Sequence, residues 1–332
     1  MRAFVVEHYG NDGLRGADVP EPEVGDGDVL VKVRAASINP LDMMVRNGEF
    51  KRLLEYRTPF VLGHDVAGVV TRVGSAVRDF QVGDEVYARP RDLRIGSFAE
   101  YIAIDQDDLA PKPASLTLHE AAAVPLVSLA AWQALVDRAD VKPGQKVLVH
   151  AGSGGLGSTV IQLAKHLGAT VATTASGKHV ELVRSLGADV VVDYTKEDFA
   201  EVLSGYDVVL DSLGGDNLEK SLTVLKPGGQ AIGVTGPPDP GFAKQLGAPK
   251  VIGVVMRLLS RKVRKQARKR GVNYSFLFMQ ANGAQLRELA ALYDAGQLRP
   301  LIDRTFSFDQ TLEAMAYVEQ RRASGKVVIT LD

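Results

Sequence analysis

The chain is 332 residues long, 24% charged and 45% hydrophobic, with 39 Lys and Arg against 40 Asp and Glu for a net charge of −1. That length suggests about two domains with sizeable cores, and the balanced composition excludes a disordered, collagen-like or coiled-coil chain and one built to coat nucleic acid. Absence of cysteine excludes disulfides, thiolate catalysis and thiolate-ligated zinc or iron–sulfur centres.

No run of about 18 apolar residues occurs, so no membrane-spanning helix is expected. The N-terminus reads as a first strand rather than a signal or transit segment, which predicts a mature, cytoplasmic protein. Short strands follow at Val29–Ala35, Ala67–Val73, Asp84–Ala88 and Phe98–Ile104, with Gly and Pro between them, the pattern of an antiparallel, barrel-like unit. Leu118–Val136 is Ala- and Leu-rich with helical period, although Pro125 should interrupt it.

From 140 to 236 strands and helices alternate: Lys146–His150 a strand, Ser158–Leu167 a helix, Thr170–Thr174 a strand, Val180–Leu186 a helix, then strands at Val190–Val192, Asp207–Asp211 and Gln230–Val234. Alternating β and α elements with Val-rich strands predict a parallel doubly wound sheet. A loop at Gly236–Pro249 precedes a basic helix and a strand at Asn273–Phe278. A helix (Gln285–Asp294), a strand (Leu301–Phe308), a helix (Gln310–Gln320) and a strand (Lys326–Leu331) complete the pattern.

The most informative segment runs from Val147 to Gly157. Gly152, Gly154 and Gly157 form G-x-G-x-x-G directly after an apolar strand and before a helix, the context that a dinucleotide loop requires. Gly152 permits the tight turn, Gly154 lets the backbone approach a pyrophosphate and Gly157 lets helix pack on strand, while the helix N-terminus at Ser153, Gly155 and Leu156 offers N–H groups to phosphate. The alternative is a purely structural glycine turn. At the end of the next strand, Ala175–Lys178 contains no acid, and Ser176 and Lys178 suit a 2′-phosphate, which favours NADP (NADPH) over NAD. Lys178 as a plain exposed lysine is the competing reading.

An ordered set of motifs then carries a resemblance over essentially the whole chain: Ala36–Asp42, Leu62–Val70, Val82–Val86, Ala151–Gly157, Leu186–Asp189, Asp193–Tyr194, Asp211–Gly215 and Gly325–Val328. Together they resemble the medium-chain dehydrogenase/reductase superfamily, in its zinc-independent quinone oxidoreductase branch, and the C-terminal part is similar to the reticulon-4-interacting-protein-like subgroup. The resemblance implies an α/β chain: a GroES-like β-barrel catalytic domain (1–122, completed by 271–332) and a Rossmann doubly wound domain (123–270), with the cofactor in the cleft between them. It also implies NADPH-dependent reduction of quinones or of the activated C=C bond of α,β-unsaturated carbonyls, in a homodimer.

Zinc-dependent relatives place a cysteine where Asn39 stands, and here only His64 remains of the ligand set, so no metal is expected. By motif match, Asn39 points its amide at the nicotinamide ribose or the substrate, or else caps the turn before Pro40. Tyr194 approaches the adenosine ribose, or is an ordinary strand-end aromatic. Asp211, Ser212 and Leu213 end the fourth strand at the ligand edge. Val234 and Thr235 in the turn Gly233–Gly236, with Phe276, Leu277 and Phe278, line the nicotinamide side; Ser128 lies nearby, and Lys326 reaches the cofactor phosphates from the other domain.

With neither metal nor thiol, hydride transfer from the cofactor is the expected chemistry. The proton donor is open: Phe50 stands where thioester-reducing relatives carry a tyrosine, Tyr56 could substitute, and solvent is the other source. A non-catalytic NADPH-binding redox sensor or scaffold is the alternative function. Finally, Arg257–Arg270 carries eight Lys or Arg and no acid, which leaves −9 on the remaining residues. Val251, Val254, Val255, Leu258, Leu259 and Val263 follow helical spacing. A surface helix covering a cleft or dimer edge is favoured over membrane association of 251–270 or attraction to an acidic partner, and no nucleic-acid partner is expected.

Overall fold

Three strand systems account for the architecture. In the computed structural model, which describes residues 1–331, the longest strand, Asp28–Ile38, is buried along nearly its whole length. Val, Leu and Ile dominate it, and it lies inside a seven-stranded sheet in the order Ile302–Ser307, Lys326–Thr330, Asp28–Ile38, Asp65–Val73, Glu85–Ala88, Leu109–Pro111, with Tyr101–Asp105 also pairing to Asp28–Ile38. A three-stranded sheet joins Arg2–Val6 to Leu14–Asp18 and Phe60–Val61. Most of these pairs are antiparallel, as short strands separated by turns require.

The second system is a six-stranded parallel sheet in the order Val190–Asp193, Thr170–Ala175, Lys146–Val149, Tyr206–Asp211, Leu225–Gly233, Asn273–Phe276. Its first strand in sequence is Lys146–Val149, and successive strands run outward in one direction before the chain returns to build the other half. The order reverses between Lys146–Val149 and Tyr206–Asp211, so the loops leaving those two strands open at the sheet's switch point. Val147, Leu148, Val149, Val209 and Ile232 are fully buried, as expected of strands covered on both faces.

The chain divides into two units, Met1–Leu129 with Gln280–Asp332, and Ala130–Met279. Their boundaries fall somewhat later than residues 122 and 270. The Ala-rich segment 118–136 is interrupted as the proline demands: one helix ends at Ala122 and a second starts with Pro125 at its first position, where a missing N–H costs nothing. Two expectations need correcting. The segment 236–249 is not all loop, because Asp239 caps a short helix, Pro240–Gln245, by accepting from the Gly241 N–H at 2.7 Å. The basic helix is two helices, Lys250–Leu259 and Arg261–Lys269. They break at buried Ser260, whose hydroxyl donates back to the Met256 carbonyl at 2.7 Å.

Candidate functional site

In the parallel-sheet unit, the strand Lys146–Val149 delivers His150 and Ala151 to the switch point, and the helix Gly155–His166 begins at Gly154. Ala151 sits at φ 53°, a left-handed conformation uncommon for alanine. Thr174 on the neighbouring strand holds it there: its hydroxyl accepts from the Ala151 N–H at 3.1 Å and its carbonyl from the Gly152 N–H at 3.0 Å. His150 completes the clamp, with Nδ1 3.2 Å from the Thr174 hydroxyl and Nε2 2.9 Å from the Ser221 hydroxyl. Burial lowers the His150 pKa to about 4, so the ring is a neutral strut.

The three glycines have distinct surroundings. A Cβ on Gly157 would lie 2.3 Å from the Ala151 carbonyl oxygen, and one on Gly152 would lie 2.1 Å from the Thr173 hydroxyl. Both are therefore needed for the loop to close on itself. A Cβ on Gly154 would meet nothing nearer than 3.3 Å, so the protein alone barely requires glycine there. No side chain caps the helix at Gly154, which leaves the first-turn N–H groups of Gly155, Leu156 and Gly157 for an anion.

Ser176 and Lys178 follow the strand Thr170–Ala175, with Ser176 half-buried and Lys178 exposed. Asp193, which the sequence motif included without a role, pairs with Ala175 across the strands and lies 2.7 Å from a Cβ built on Gly177. Hydrogen bonds from the Thr195 hydroxyl and N–H, with Lys196 nearby, hold its carboxyl below the usual range. Tyr194 is exposed beside it. Asp211 accepts from the Leu213 and Gly214 N–H groups at 3.2 and 2.6 Å, so its carboxylate shapes its own turn; burial raises its pKa. Ser212 is half-buried and Leu213 exposed at the same edge, as are Val234 and Thr235 on the adjoining turn. Phe276, Leu277 and Phe278 are buried, with the Phe242 ring against both phenylalanines.

The other unit gathers a polar cluster by strand register. Lys326–Thr330 pairs with Asp28–Ile38 through Val327↔Ile38, which brings Lys326 level with Asn39, and Asp65 pairs with Ser37. Asp65 is fully buried and accepts four donors: the Ser37 hydroxyl and Asn39 amide at 2.9 Å, the Lys326 ammonium at 3.1 Å, and the Leu126 N–H at 2.8 Å. Lys326 also donates to the side-chain amide oxygen of Asn39. Lys326, assigned from the resemblance to the cofactor phosphates, is thus engaged inside its own unit. Asn39 donates its side-chain amide into this cluster, and at the start of the following helix Asp42 reaches back to the Asn39 N–H at 2.7 Å. Ser128 is buried and bonded to the Tyr293 hydroxyl at 2.8 Å.

Beside this cluster, His64 bonds Asp42 through Nδ1 at 2.6 Å and leaves Nε2 without a partner. Arg89, one residue beyond the strand Glu85–Ala88, is fully buried; Nη2 donates to Asp92 at 2.6 Å, while Nε and Nη1 have no partner among the described residues. The Ser97 hydroxyl, 2.4 Å from a Cβ built on Gly63, is likewise unpartnered. Tyr56 is buried close by, its hydroxyl accepting from the Leu93 N–H at 3.1 Å. Burial and the charge of Asp92 push its pKa up, against the opposing charge of Arg89. Sequence inspection passed over Arg89, which stands in a run of arginines that reads as exposed loop. Among the described residues, no three His, Cys, Asp or Glu side chains are placed to hold a metal ion, and one imidazole beside the Asn39 amide does not supply the three ligands of a catalytic zinc.

Comparison with known proteins gives two family matches. Residues 25–114 match the family described as Alcohol dehydrogenase GroES-like domain, and residues 186–329 match that described as Zinc-binding dehydrogenase. The chain is 38% identical to the NADPH-dependent alkenal/one oxidoreductase, chloroplastic, of Arabidopsis thaliana, over 99% of this chain and 79% of the relative. It is 36% identical to the NAD(P)H oxidoreductase RTN4IP1, mitochondrial, of Danio rerio, over 100% of this chain and 91% of the relative. The structure of the quinone oxidoreductase from Coxiella burnetii superposes with a TM-score of 0.86 at 31% identity, covering 100% of this chain and 99% of that one.

Proposed function

This chain belongs to the medium-chain dehydrogenase/reductase superfamily as an NAD(P)H-dependent oxidoreductase of the quinone/alkenal reductase type, and from that premise we propose an NADPH-specific reductase of quinones or of the activated C=C bond of α,β-unsaturated carbonyls. The observation that carries the reading is the loop Ala151–Gly154 at the switch point, held open toward ligand at Gly154 and closed against its own backbone at Gly157. Its fit to a diphosphate is that of a cradle in which the missing Cβ of Gly154 answers no need of the protein itself.

The first-turn N–H groups after Gly154 bind the diphosphate, and Ser176 with Lys178 engages the 2′-phosphate; Asp193 is already engaged by Thr195 and Lys196, which lessens its repulsion of that group. When bound, reduced nicotinamide supplies the hydride. The orphaned N–H groups of Arg89 suit an oxygen of the acceptor. Asp65, through Asn39 and Lys326, fixes the neighbouring wall, and Tyr56 holds the Leu93 loop. Solvent protonates the product.

The test pairs binding with turnover. Calorimetry is expected to give a Kd for NADPH at least about tenfold below that for NADH, and NADPH absorbance is expected to fall with a panel of quinones and enones. Equal affinities would remove the NADPH assignment. Tight binding without turnover on any acceptor would replace the enzyme with a redox sensor.

A further inference from the structure

The two basic helices present a face that nothing else among the described residues covers. On Lys250–Leu259, Val251, Val254, Val255, Leu258 and Leu259 are each between 46% and 64% exposed, and at helical spacing they share one arc of about 140°. Only Met256 turns inward. The expected apolar stripe therefore points to solvent rather than into a core. The next helix, Arg261–Lys269, is anchored: Val263 and Ala267 pack into the cluster beneath the parallel sheet with Val272 and Leu222. Its remaining surface is cationic.

We propose that these helices dock the protein on an anionic lipid bilayer, lying in the interface with the aliphatic arc in the acyl boundary and the basic residues on the headgroups. Charge decides the occupant. Eight Lys and Arg lie between Arg257 and Arg270, and no acidic residue occurs between Asp239 and Glu288. Lys262 pairs with Glu219, and the other seven cations form no ion pair among the described residues. Lys250 and Arg257 border the aliphatic arc on one side, where they can reach phosphate groups while Leu258 and Val254 insert. A second copy meeting this face symmetrically would set eight cations against eight, whereas a head-to-tail contact with the acidic remainder would not close into a dimer. Among the described residues no helix is long and apolar enough to cross a membrane, so the contact is peripheral.

The test is co-sedimentation of the full chain with phosphatidylcholine vesicles, with and without phosphatidylserine, and with Val254→Glu/Leu258→Glu and Arg264→Gln/Lys265→Gln/Arg268→Gln variants alongside. The expected result is binding to the anionic vesicles at least about tenfold stronger than to the neutral ones, weakened by salt and reduced at least tenfold in each variant. Unchanged NADPH affinity certifies that the variants fold, since all five positions lie at half-buried or exposed surface. Absence of binding to either vesicle overturns the proposal. So does binding that survives Val254→Glu/Leu258→Glu, which would reduce the face to simple ion pairing. A dimer that Leu258→Glu dissociates, without vesicle binding, would make a second copy the occupant and also overturn it.

Discussion

Replacing Gly154 and Gly157 separately with alanine should divide binding from folding. At Gly154 the backbone has φ −82°, which alanine adopts freely, and its Cβ would meet only the Ala151 carbonyl oxygen, at 3.3 Å. A few tenths of an ångström of relaxation absorbs that. Alanine also caps a helix less well than glycine while losing less chain entropy, two small effects of opposite sign. Stability is therefore expected to change by less than about 1 kcal/mol, or roughly 2–4 °C in Tm for domains of this size. The same methyl group would stand where a diphosphate oxygen meets the helix N-terminus. Each charge-assisted hydrogen bond it displaces is worth about 1.5–3 kcal/mol, so the Kd for NADPH should rise at least about tenfold.

Gly157→Ala behaves in the opposite way. Its Cβ would lie 2.3 Å from the Ala151 carbonyl oxygen and 2.8 Å from the Gly152 Cα, and both are backbone atoms that cannot swing aside. Overpacking of that kind costs about 1–3 kcal/mol and lowers Tm by several degrees. Calorimetric titration with NADPH and thermal melts of both variants measure the contrast. If Gly154→Ala binds NADPH as the wild type does, the loop does not hold the diphosphate and the cofactor reading fails with it.

Arg89→Met should lower kcat/KM for enones or quinones at least about tenfold while the Kd for NADPH stays unchanged; unchanged turnover would make the buried guanidinium structural. Tyr56→Phe is expected to retain most turnover, because the visible role of the hydroxyl is to accept from the Leu93 N–H, and to cost about 1 kcal/mol of stability; a hundredfold fall in kcat would instead make Tyr56 the proton donor. Lys326→Met leaves the Asp65 carboxylate buried without its cation, so a denaturant melt should show about 3 kcal/mol lost, and a large rise in the Kd for NADPH would return Lys326 to the phosphates. His150 takes up protons less readily folded, with a pKa of about 4, than unfolded, near 6.5, so its contribution is complete above about pH 6.5 and is lost as pH falls toward 4. Melts of wild type and His150→Asn across that range should differ in slope, and parallel curves would refute the assignment.

What the sequence disclosed was local. The alternation of strands and helices from 140 to 236, the glycines of the loop and the proline break at 125 all follow from short-range rules, and the parallel sheet that the alternation predicts is present. The polar cluster was not accessible in that way. Lys326 and Asp65 are 261 positions apart, and only the register Val327↔Ile38 and Ser37↔Asp65 makes them neighbours. A motif carries no register, so motif matching gave Lys326 no partner within its own unit. At Lys250–Leu259, spacing of i, i+3, i+4 and i+7 establishes that one face is apolar but not what covers it.

Pairing of buried polar groups separates scaffold from machinery more sharply than residue type does. Asp65 with four donors and His150 between two hydroxyls have their hydrogen bonds inside the protein, and they rigidify what surrounds them. Arg89 and His64 are equally buried and only half satisfied. A guanidinium cannot relieve that cost by losing its proton, and a native fold seldom leaves such donors idle in its interior. Their unused donors are explained most simply by an oxygen-bearing partner that arrives with the substrate.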